Sequence, residues 1–105
     1  MASKSPTQLS LEKLRADGYL AEVVERWIPG ANIRKDLWGW VDIVALKDGE
    51  TLAVQTTSYA NISARCNKIA ESDTVSEVRK ANWSIQVHGW RKVNNRWAVT
   101  VRDLS

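Results

Sequence analysis

The sequence predicts a single α/β domain in which helices flank a mixed sheet. Three observations lead to that prediction: a helix-start signal near the N-terminus, a hairpin signal in the middle, and a helical stretch between this hairpin and further strands. A chain of 105 residues, 44% hydrophobic and 26% charged, suits one globular core and is too short for two. We therefore expect residues 1–105 to form one domain, with residues 1–4 disordered.

The first predicted element is a helix that begins after Ser5. Ser5 suits the N-cap, Pro6 the first helical position and Gln8 the third, which together form a capping-box start. Regularly spaced leucines supply an apolar side, and Gly18 ends the helix. The segment 19–28 fits a helix or a strand by its spacing. We favour a strand because Gly18 has just ended a helix.

The centre of the chain predicts a β-hairpin. Two runs rich in β-branched residues, 40–46 and 51–58, flank an Asp-Gly pair, which is a strong short-range hairpin signal. If Asp48-Gly49 forms a two-residue turn, Asp42 lies directly opposite Gln55 on one face of the hairpin. The other face is apolar, and we expect it to form core. That face consists of Val41, Ile43 and Ala45 on one strand and Leu52, Val54 and Thr56 on the other.

The remaining elements alternate in type along the chain. Helical patterns cover 61–70 and 73–81, and a strand pattern covers 83–88. A second hairpin is predicted over 90–102, with its turn at Asn94-Asn95. The predicted order is therefore a helix, three strands, a helical region and the final strands.

The composition excludes several classes of protein. The single cysteine, Cys66, permits no internal disulfide, and with the lone His88 it cannot supply a structural zinc site. We expect Cys66 to be an inert small residue of a helix, whereas His88 fits either a catalytic base or, more commonly, a structural histidine. No apolar run approaches the ~18 residues of a membrane span, and no signal peptide is visible. We expect a cytoplasmic protein that contacts no membrane.

Positive charge is concentrated in the second half of the chain. Residues 1–60 hold 7 of the 15 basic and 8 of the 12 acidic residues, so the other 8 and 4 give residues 61–105 a net charge of +4. Such a half is compatible with a polyanionic partner such as DNA, although many ordinary domains have a similar excess.

The predicted hairpin over 90–102 alternates basic and aromatic residues. The basic residues are Arg91, Lys92, Arg96 and Arg102, and the aromatic ones are Trp90 and Trp97. Basic groups can neutralise phosphates while exposed rings stack on unpaired bases, which predicts a DNA-binding hairpin. A sheet edge protected by charges has the same pattern, so both interpretations stay open. We expect most of the six tryptophans to be core residues.

Asp42 is an acidic residue inside an apolar run. Burying a carboxylate costs free energy unless it is paired or liganded. One interpretation is structural, in which Asp42 bonds the Gln55 amide or lies at a solvated end of the sheet. The other is a site for a hard divalent cation, which takes carboxylate, amide and backbone oxygens. Asp36, in a predicted loop shortly before Asp42, is a candidate second carboxylate.

Three segments resemble the core of the PD-(D/E)xK nuclease superfamily, in particular its small phage-type, Holliday-junction-resolvase-like branch. They are Glu25-Arg26-Trp27-Ile28-Pro29, then Asp36-Leu37-Trp38-Gly39-Trp40-Val41-Asp42-Ile43-Val44-Ala45-Leu46, then Leu52-Ala53-Val54-Gln55-Thr56-Thr57-Ser58. The resemblance covers residues 9–70 and is weaker beyond them. It implies a restriction-endonuclease-like αβββαβ core, in which Asp42 is the motif aspartate and Gln55 begins the (D/E/Q)-x-K motif.

The chain departs from the family pattern at Thr57, where the pattern has lysine. A threonine hydroxyl cannot replace that positive charge. In some members the cation comes from the following helix, where this chain has Arg65 and Lys68 on one face. A solvated helix face is the alternative interpretation of both residues. The family's helix-borne glutamate has three candidates, Glu12, Glu22 and Glu25, of which we include Glu25 in the predicted site.

The resemblance implies Mg²⁺-dependent or Mn²⁺-dependent hydrolysis of phosphodiester bonds in DNA, including branched DNA, in a bacterial or phage-infected cell. The predicted metal ligands are Asp42, Gln55 and Asp36. The predicted catalytic residues are Asp42, Gln55, Arg65, Lys68 and Glu25. The predicted DNA contacts are Arg91, Lys92, Arg96 and Trp90. A homodimer is expected from the family and from the few phosphate contacts that one small domain offers.

Two other functions fit the same sequence. The first is a nuclease-fold module that binds DNA but has lost turnover together with the motif lysine. The second is a protein-interaction or assembly factor, in which exposed tryptophans form a partner surface and Asp42 is structural.

Overall fold

The computed structural model describes residues 4–105, so most of the predicted disordered segment 1–4 lies outside the described residues. Its elements are α1 (Pro6–Ala16), β1 (Leu20–Val23), β2 (Arg26–Ile28), β3 (Ile33–Lys35), β4 (Ile43–Lys47), β5 (Glu50–Ser58), α2 (Ile62–Ala70), α3 (Val75–Lys80), β6 (Ser84–Val93) and β7 (Arg96–Asp103). A single 3-10 turn over Tyr59–Asn61 joins β5 to α2.

Five strands form one mixed sheet in the order β1-β4-β5-β6-β7. Only β5 and β6 are parallel, and the other neighbours are antiparallel. A parallel pair needs a crossover, which α2 and α3 supply. The strands β2 and β3 leave this sheet and form a separate antiparallel hairpin. The predicted α/β class with a mixed sheet and flanking helices is confirmed.

Local signals set the ends of α1 and the turns of both long hairpins. The Ser5 side chain accepts a hydrogen bond from the Gln8 backbone N–H at 3.1 Å, as the capping pattern predicts. Asp48 and Gly49 both have positive φ, 50° and 82°, which a two-residue type I′ turn requires. The turn at Asn94-Asn95 has the same geometry, with φ of 52° and 62°.

Both faces of the central strands of the sheet are buried. The face under α1 packs Leu11, Leu14, Ala21, Ile43, Ala45, Leu52 and Val54 together. The opposite face, under α2 and α3, packs Trp40, Val41, Ala53, Ile62, Ile69, Val75, Val78, Ile85 and Val87. A polar side chain at the centre of such a sheet has no water to bond, so it needs a partner inside the protein or a ligand.

The predicted position of Val41 is wrong. Val41 packs under α2 and α3, not with Ile43 and Ala45 under α1. The strand alternation stops at residue 42, because the Asp42 backbone N–H bonds the Val54 carbonyl while Val41 turns back to bond Leu37. The segment 40–42 therefore belongs to a loop and not to the predicted strand.

Two predicted strand boundaries also change. The segment 19–28 is not one strand, because the Val24 N–H bonds the Asp42 carbonyl and the chain then leaves the main sheet to form β2. In contrast, β6 runs without a break through Gly89. A Cβ at Gly89 would collide with the Ile62 side chain, so this glycine lets α2 pack closely on the strand. Among residues 4–105, no helix is long and apolar enough to span a membrane.

Candidate metal centre

Asp42 and Gln55 meet at one end of the sheet, where β4 begins and β5 nears its end. The antiparallel register pairs Ile43 with Val54, which brings the preceding and following residues side by side. Gln55 Nε2 donates to Asp42 Oδ2 at 2.8 Å, so the predicted cross-strand pair is confirmed. The Thr56 backbone N–H and hydroxyl donate to the same carboxylate oxygen at 2.8 Å and 3.1 Å.

Two more carboxylates reach Asp42 through the β2–β3 hairpin. The register pairs Arg26 with Lys35. Glu25 precedes this pair and Asp36 follows it, so the hairpin brings these two acidic residues together. One carboxylate oxygen from each of Glu25, Asp36 and Asp42 lies within 4.8 Å of the other two. The structure thus brings Glu25 and Asp36 next to Asp42.

Burial and mutual repulsion disfavour the charge on this cluster. Asp42 is only 5% exposed. Burial is the main cause that raises the pKa of Asp42 to about 7; the Asp36 carboxylate also raises it, and hydrogen bonds from Thr56 act in the opposite direction. A proton or a cation can relieve this repulsion.

The amide oxygen of Gln55 is a buried acceptor with no donor. Gln55 is 3% exposed, and its Oε1 is the one buried side-chain nitrogen or oxygen without a hydrogen bond among residues 4–105. The amide orientation follows from its partner, because a flipped amide would place Oε1 against the Asp42 carboxylate. An unpaired buried acceptor costs roughly 1–3 kcal/mol. Amide and carboxylate oxygens, as in Gln55 and these three acidic residues, are the donor types that a hard divalent cation takes.

A cleft of about 390 Å³ opens beside these ligands and has cationic side chains in its walls. Arg65 of α2 lines this cleft, as the resemblance implies, whereas Lys68 lies exposed elsewhere on α2. Thr57 also lines it. The structure therefore favours Arg65 over Lys68 as the cation near the cluster.

Arg34 is a cleft residue that sequence analysis missed. Its Nη1 lies 3.9 Å from Oε1 of Glu25, and it lines the same cleft. Arg34 belongs to β3, which was not predicted as a strand; the loop after Ile28 lacks the two-residue hairpin signature that would have revealed it. One signal in the sequence did point to this hairpin. Pro29-Gly30 is typical of a turn, and here it lies between two extended segments.

His88 belongs to a buried hydrogen-bonded network under α1 and does not line the cleft. Trp90 Nε1 donates to Ser10 Oγ at 2.8 Å, and Ser10 Oγ lies 2.9 Å from His88 Nδ1. His88 Nε2 lies 3.0 Å from Gln86 Oε1, which can only accept, so Nε2 carries the proton. Burial lowers the pKa of His88 to about 4 and keeps the ring neutral. The structure supports the structural interpretation of His88.

The basic hairpin projects from the sheet end that contains the cleft. The β5–β6 pairing ends at Ser58 and Trp90, and β6 continues beyond it. The side chains of Arg91, Lys92 and Arg96 are exposed on this extension. The predicted stacking role of Trp90 is wrong, because Trp90 is 8% exposed and its indole N–H bonds Ser10. Trp97 is exposed and lies beneath the Lys92 ammonium, 5.2 Å from the ring centroid.

Five of the residues predicted for catalysis and metal binding line one cleft. They are Glu25, Asp36, Asp42, Gln55 and Arg65. Lys68 and the basic hairpin do not line it. Comparison of the chain with protein-family models, with curated proteins and with solved structures gave no match.

Proposed function

We propose that this protein is a divalent-metal-dependent endonuclease that hydrolyses phosphodiester bonds in DNA. The observation that carries the proposal is Gln55, whose buried amide oxygen lacks a donor and whose side chain lines the cleft that contains three clustered carboxylates. Carboxylate and amide oxygens are the ligands that Mg²⁺ and Mn²⁺ prefer. A purely structural Asp42–Gln55 pair leaves that oxygen unexplained.

The order of elements supports the same proposal. After α1, the strands β1, β4 and β5 form an antiparallel meander, and β6 follows the helical crossover in parallel to β5. This order agrees with the αβββαβ core that the resemblance to PD-(D/E)xK nucleases implies. The β2–β3 hairpin is an insertion between the first two of these strands. The resemblance extends the proposal to branched DNA as substrate and to a two-fold dimer as the active assembly.

The residues of the cleft divide into ligands and cations. The ligands Glu25, Asp36, Asp42 and Gln55 would hold the metal. A bound Mg²⁺ supplies a Lewis acid that lowers the pKa of water and stabilises charge on a phosphate. Arg65 presents a guanidinium that can bind two phosphate oxygens at once, in place of the lysine missing at Thr57. Its role in the proposal is to orient the phosphate and stabilise its developing charge.

The basic hairpin supplies binding energy outside the cleft. Phosphate contacts by exposed Lys and Arg provide most sequence-independent affinity for DNA. The three carboxylates repel a phosphate until a cation offsets their charge, so productive binding in the cleft depends on metal. Binding through Arg91, Lys92 and Arg96 does not have that requirement.

Cleavage by matched variants tests the proposal. Duplex and branched DNA are incubated with the protein in Mg²⁺ or Mn²⁺, with EDTA as the metal-free control. Asp42→Asn should abolish cleavage and leave DNA binding intact. Asp48→Asn is the matched control, because it makes the same substitution at the exposed turn of the same hairpin, where asparagine suits a type I′ turn.

Unchanged cleavage by Asp42→Asn, or cleavage in EDTA, would contradict the proposal. Tight DNA binding by the wild type without cleavage in either metal would instead favour the DNA-binding module that lacks turnover.

A further inference from the structure

A second concave site lies beside α3, on the far side of the loop that follows Asp36. It is a mostly apolar cavity of about 370 Å³. Its walls include Trp38, Trp83, Val78, Ala81, Asp73 and Glu77. The two indole rings pack against each other, with centroids 5.5 Å apart and planes inclined by 54°. We call this cavity the tryptophan pocket.

Trp38 is held in an exposed position by a tight loop. It is 43% exposed and has a φ of +56°, which a bulky side chain seldom adopts. Hydrogen bonds between Leu37 and Val41 close the loop, and the Gly39 N–H bonds the Asp36 carbonyl at 3.0 Å. Several backbone contacts therefore maintain a conformation that presents an indole ring to solvent.

The tryptophan pocket and the candidate metal centre lie beside neighbouring residues of one loop. Asp36 lines the metal cleft and also a neighbouring hollow, and Trp38 lines that hollow and the tryptophan pocket. Since consecutive Cα atoms are 3.8 Å apart, the Cα atoms of Asp36 and Trp38 are separated by at most ~7.6 Å. Trp38 is therefore within reach of a ligand that extends out of the cleft along this loop.

The charged side chains on the two sides of Trp38 differ in sign. The metal cleft has Arg34 and Arg65, and the hollow has Arg26 and Lys35. Beyond Trp38 the charged groups that line the pocket are carboxylates. The hollow on one side of Trp38 therefore offers cations to a phosphate, and the pocket on the other side offers hydrogen-bond acceptors beside the aromatic rings.

We infer, on the basis of the proposed function, that the tryptophan pocket holds an unpaired base of the DNA strand that passes the metal centre. A base within a duplex has both faces covered, so only an unpaired base can stack on Trp38. Asp73 and Glu77 accept hydrogen bonds from the exocyclic amino groups of cytosine, adenine and guanine, which thymine lacks. The substrate class is DNA with an unpaired, amine-bearing base next to the scissile phosphate.

Binding measurements in Ca²⁺ test this inference, with gel electrophoresis to verify that the DNA stays intact, because Ca²⁺ takes the same oxygen ligands and offsets the charge of the carboxylates. Fluorescence anisotropy compares a duplex that has one unpaired cytosine with the same duplex that has an abasic or a thymine residue there. Wild type should prefer the cytosine duplex over the abasic duplex by roughly tenfold, as expected for one stacked base. It should bind the thymine duplex less tightly than the cytosine duplex.

Variants of Trp38 assign the preference to the pocket. Trp38→Ala should remove the cytosine preference, and Trp38→Asn should do the same while tolerating the positive φ. Trp27→Ala is the matched control, since Trp27 is 53% exposed and lines neither the pocket nor the cleft. It should keep the wild-type preference.

Equal affinity of the wild type for cytosine and abasic duplexes would overturn the inference, and metal-dependent cleavage would still support the nuclease. A base preference without cleavage of any DNA would instead contradict the nuclease and leave the pocket assignment in place. If Trp38→Ala weakens binding of an oligolysine peptide and no base preference exists, the pocket belongs to a cationic protein partner, which also overturns the inference.

Discussion

Two buried polar sites on the same sheet differ in whether every polar atom has a hydrogen-bond partner. In the network under α1, Ser10 accepts from Trp90 and donates to His88, and His88 donates to Gln86. At the metal centre, one oxygen of Asp42 accepts three hydrogen bonds while the Gln55 oxygen accepts none. A closed network stabilises a fold, whereas an open set of acceptors indicates a ligand.

The electrostatics of the two sites differ in the same way. Burial keeps His88 neutral, so this network needs no counter-ion. The carboxylates repel one another, and burial opposes their charge. A structural role accounts for the first site, and the proposed cation would account for the second.

The two variants with the largest expected effects should each change one quantity, either the cleavage rate or the free energy of unfolding. Arg65→Ala should lower the cleavage rate about 100-fold or more, in line with the loss of a charge-stabilising donor. Its free energy of unfolding should change by less than about 0.5 kcal/mol. Ser10→Ala should do the reverse, because it leaves two buried partners unsatisfied, at a cost of about 2–3 kcal/mol, with cleavage per folded molecule unchanged.

Single-turnover cleavage and urea denaturation measure these two effects. Lys68→Ala is the control for Arg65→Ala, because Lys68 is an exposed basic residue of the same helix. Equal losses of cleavage in the two helix variants would remove Arg65 from the site.

One substitution made in both sites tests the comparison directly. Gln55→Glu removes the donor to Asp42 and adds a fourth carboxylate, so unfolding free energy in EDTA should fall by about 2–4 kcal/mol. Saturating Mn²⁺ should restore this loss, because the new carboxylate is a better ligand. Gln86→Glu keeps an acceptor for His88 and should cost less than about 1 kcal/mol, with no response to metal. A metal-independent loss in Gln55→Glu would mean that the pair is only structural.

The pH dependence of stability should have opposite signs at the two sites. The pKa of Asp42 is raised from 3.8 to about 7, so its contribution is complete below pH 3.8 and is lost as pH rises toward 7. The pKa of His88 is lowered from 6.5 to about 4, so its contribution is complete above pH 6.5 and is lost as pH falls. In metal-free protein these slopes oppose each other between about pH 4 and 6.5.

Asp42→Asn removes the contribution of Asp42 and leaves that of His88. The free energy of unfolding should then rise with pH by up to about 1.4 kcal/mol per pH unit between pH 4 and 6.5. Wild type with saturating Mg²⁺ should follow the same trend, because the cation holds Asp42 deprotonated. Denaturation midpoints across this range measure both curves. A metal-saturated wild type whose stability falls with rising pH would disagree with a metal at Asp42.

The smallest effect on the cleavage rate is expected at the basic hairpin, whose residues Arg91, Lys92 and Arg96 belong to neither buried site. Changes there should alter DNA affinity. Replacing Arg91, Lys92 and Arg96 with Ala should lower the slope of log affinity against log salt by roughly one for each lost phosphate contact. Cleavage at saturating DNA should stay unchanged. The control variant replaces three basic residues that already form ion pairs, Lys4, Lys13 and Lys80. A wild-type salt slope in the hairpin variant would show that the hairpin is only a solvated edge.

Local sequence signals made part of this structure predictable. The Asp48-Gly49 turn sets the register of its hairpin, and the register alone places Gln55 beside Asp42. Glu25 and Asp36 meet only through the β2–β3 hairpin, whose longer loop carries no specific two-residue signal. The tryptophan pocket depends on how the Trp38 loop packs against α3, and no local pattern determines that contact.

The prediction for Trp90 failed for a related reason. An aromatic residue followed by two basic ones has the same pattern whether its ring points to solvent or under α1. The polar partner that buries it, Ser10, lies 80 residues away along the chain. Burial of this kind follows from tertiary packing and not from the local sequence.

Binding of Mn²⁺ to the purified protein tests the central claim most directly. Electron paramagnetic resonance of free Mn²⁺ counts the bound ions. Wild type and Asp48→Asn should each bind Mn²⁺ with matching affinity, and Asp42→Asn should bind it at least about tenfold more weakly, because a carboxylate ligand is lost. No Mn²⁺ binding by the wild type, or equal binding by wild type and Asp42→Asn, would contradict a metal centre at Glu25, Asp36, Asp42 and Gln55.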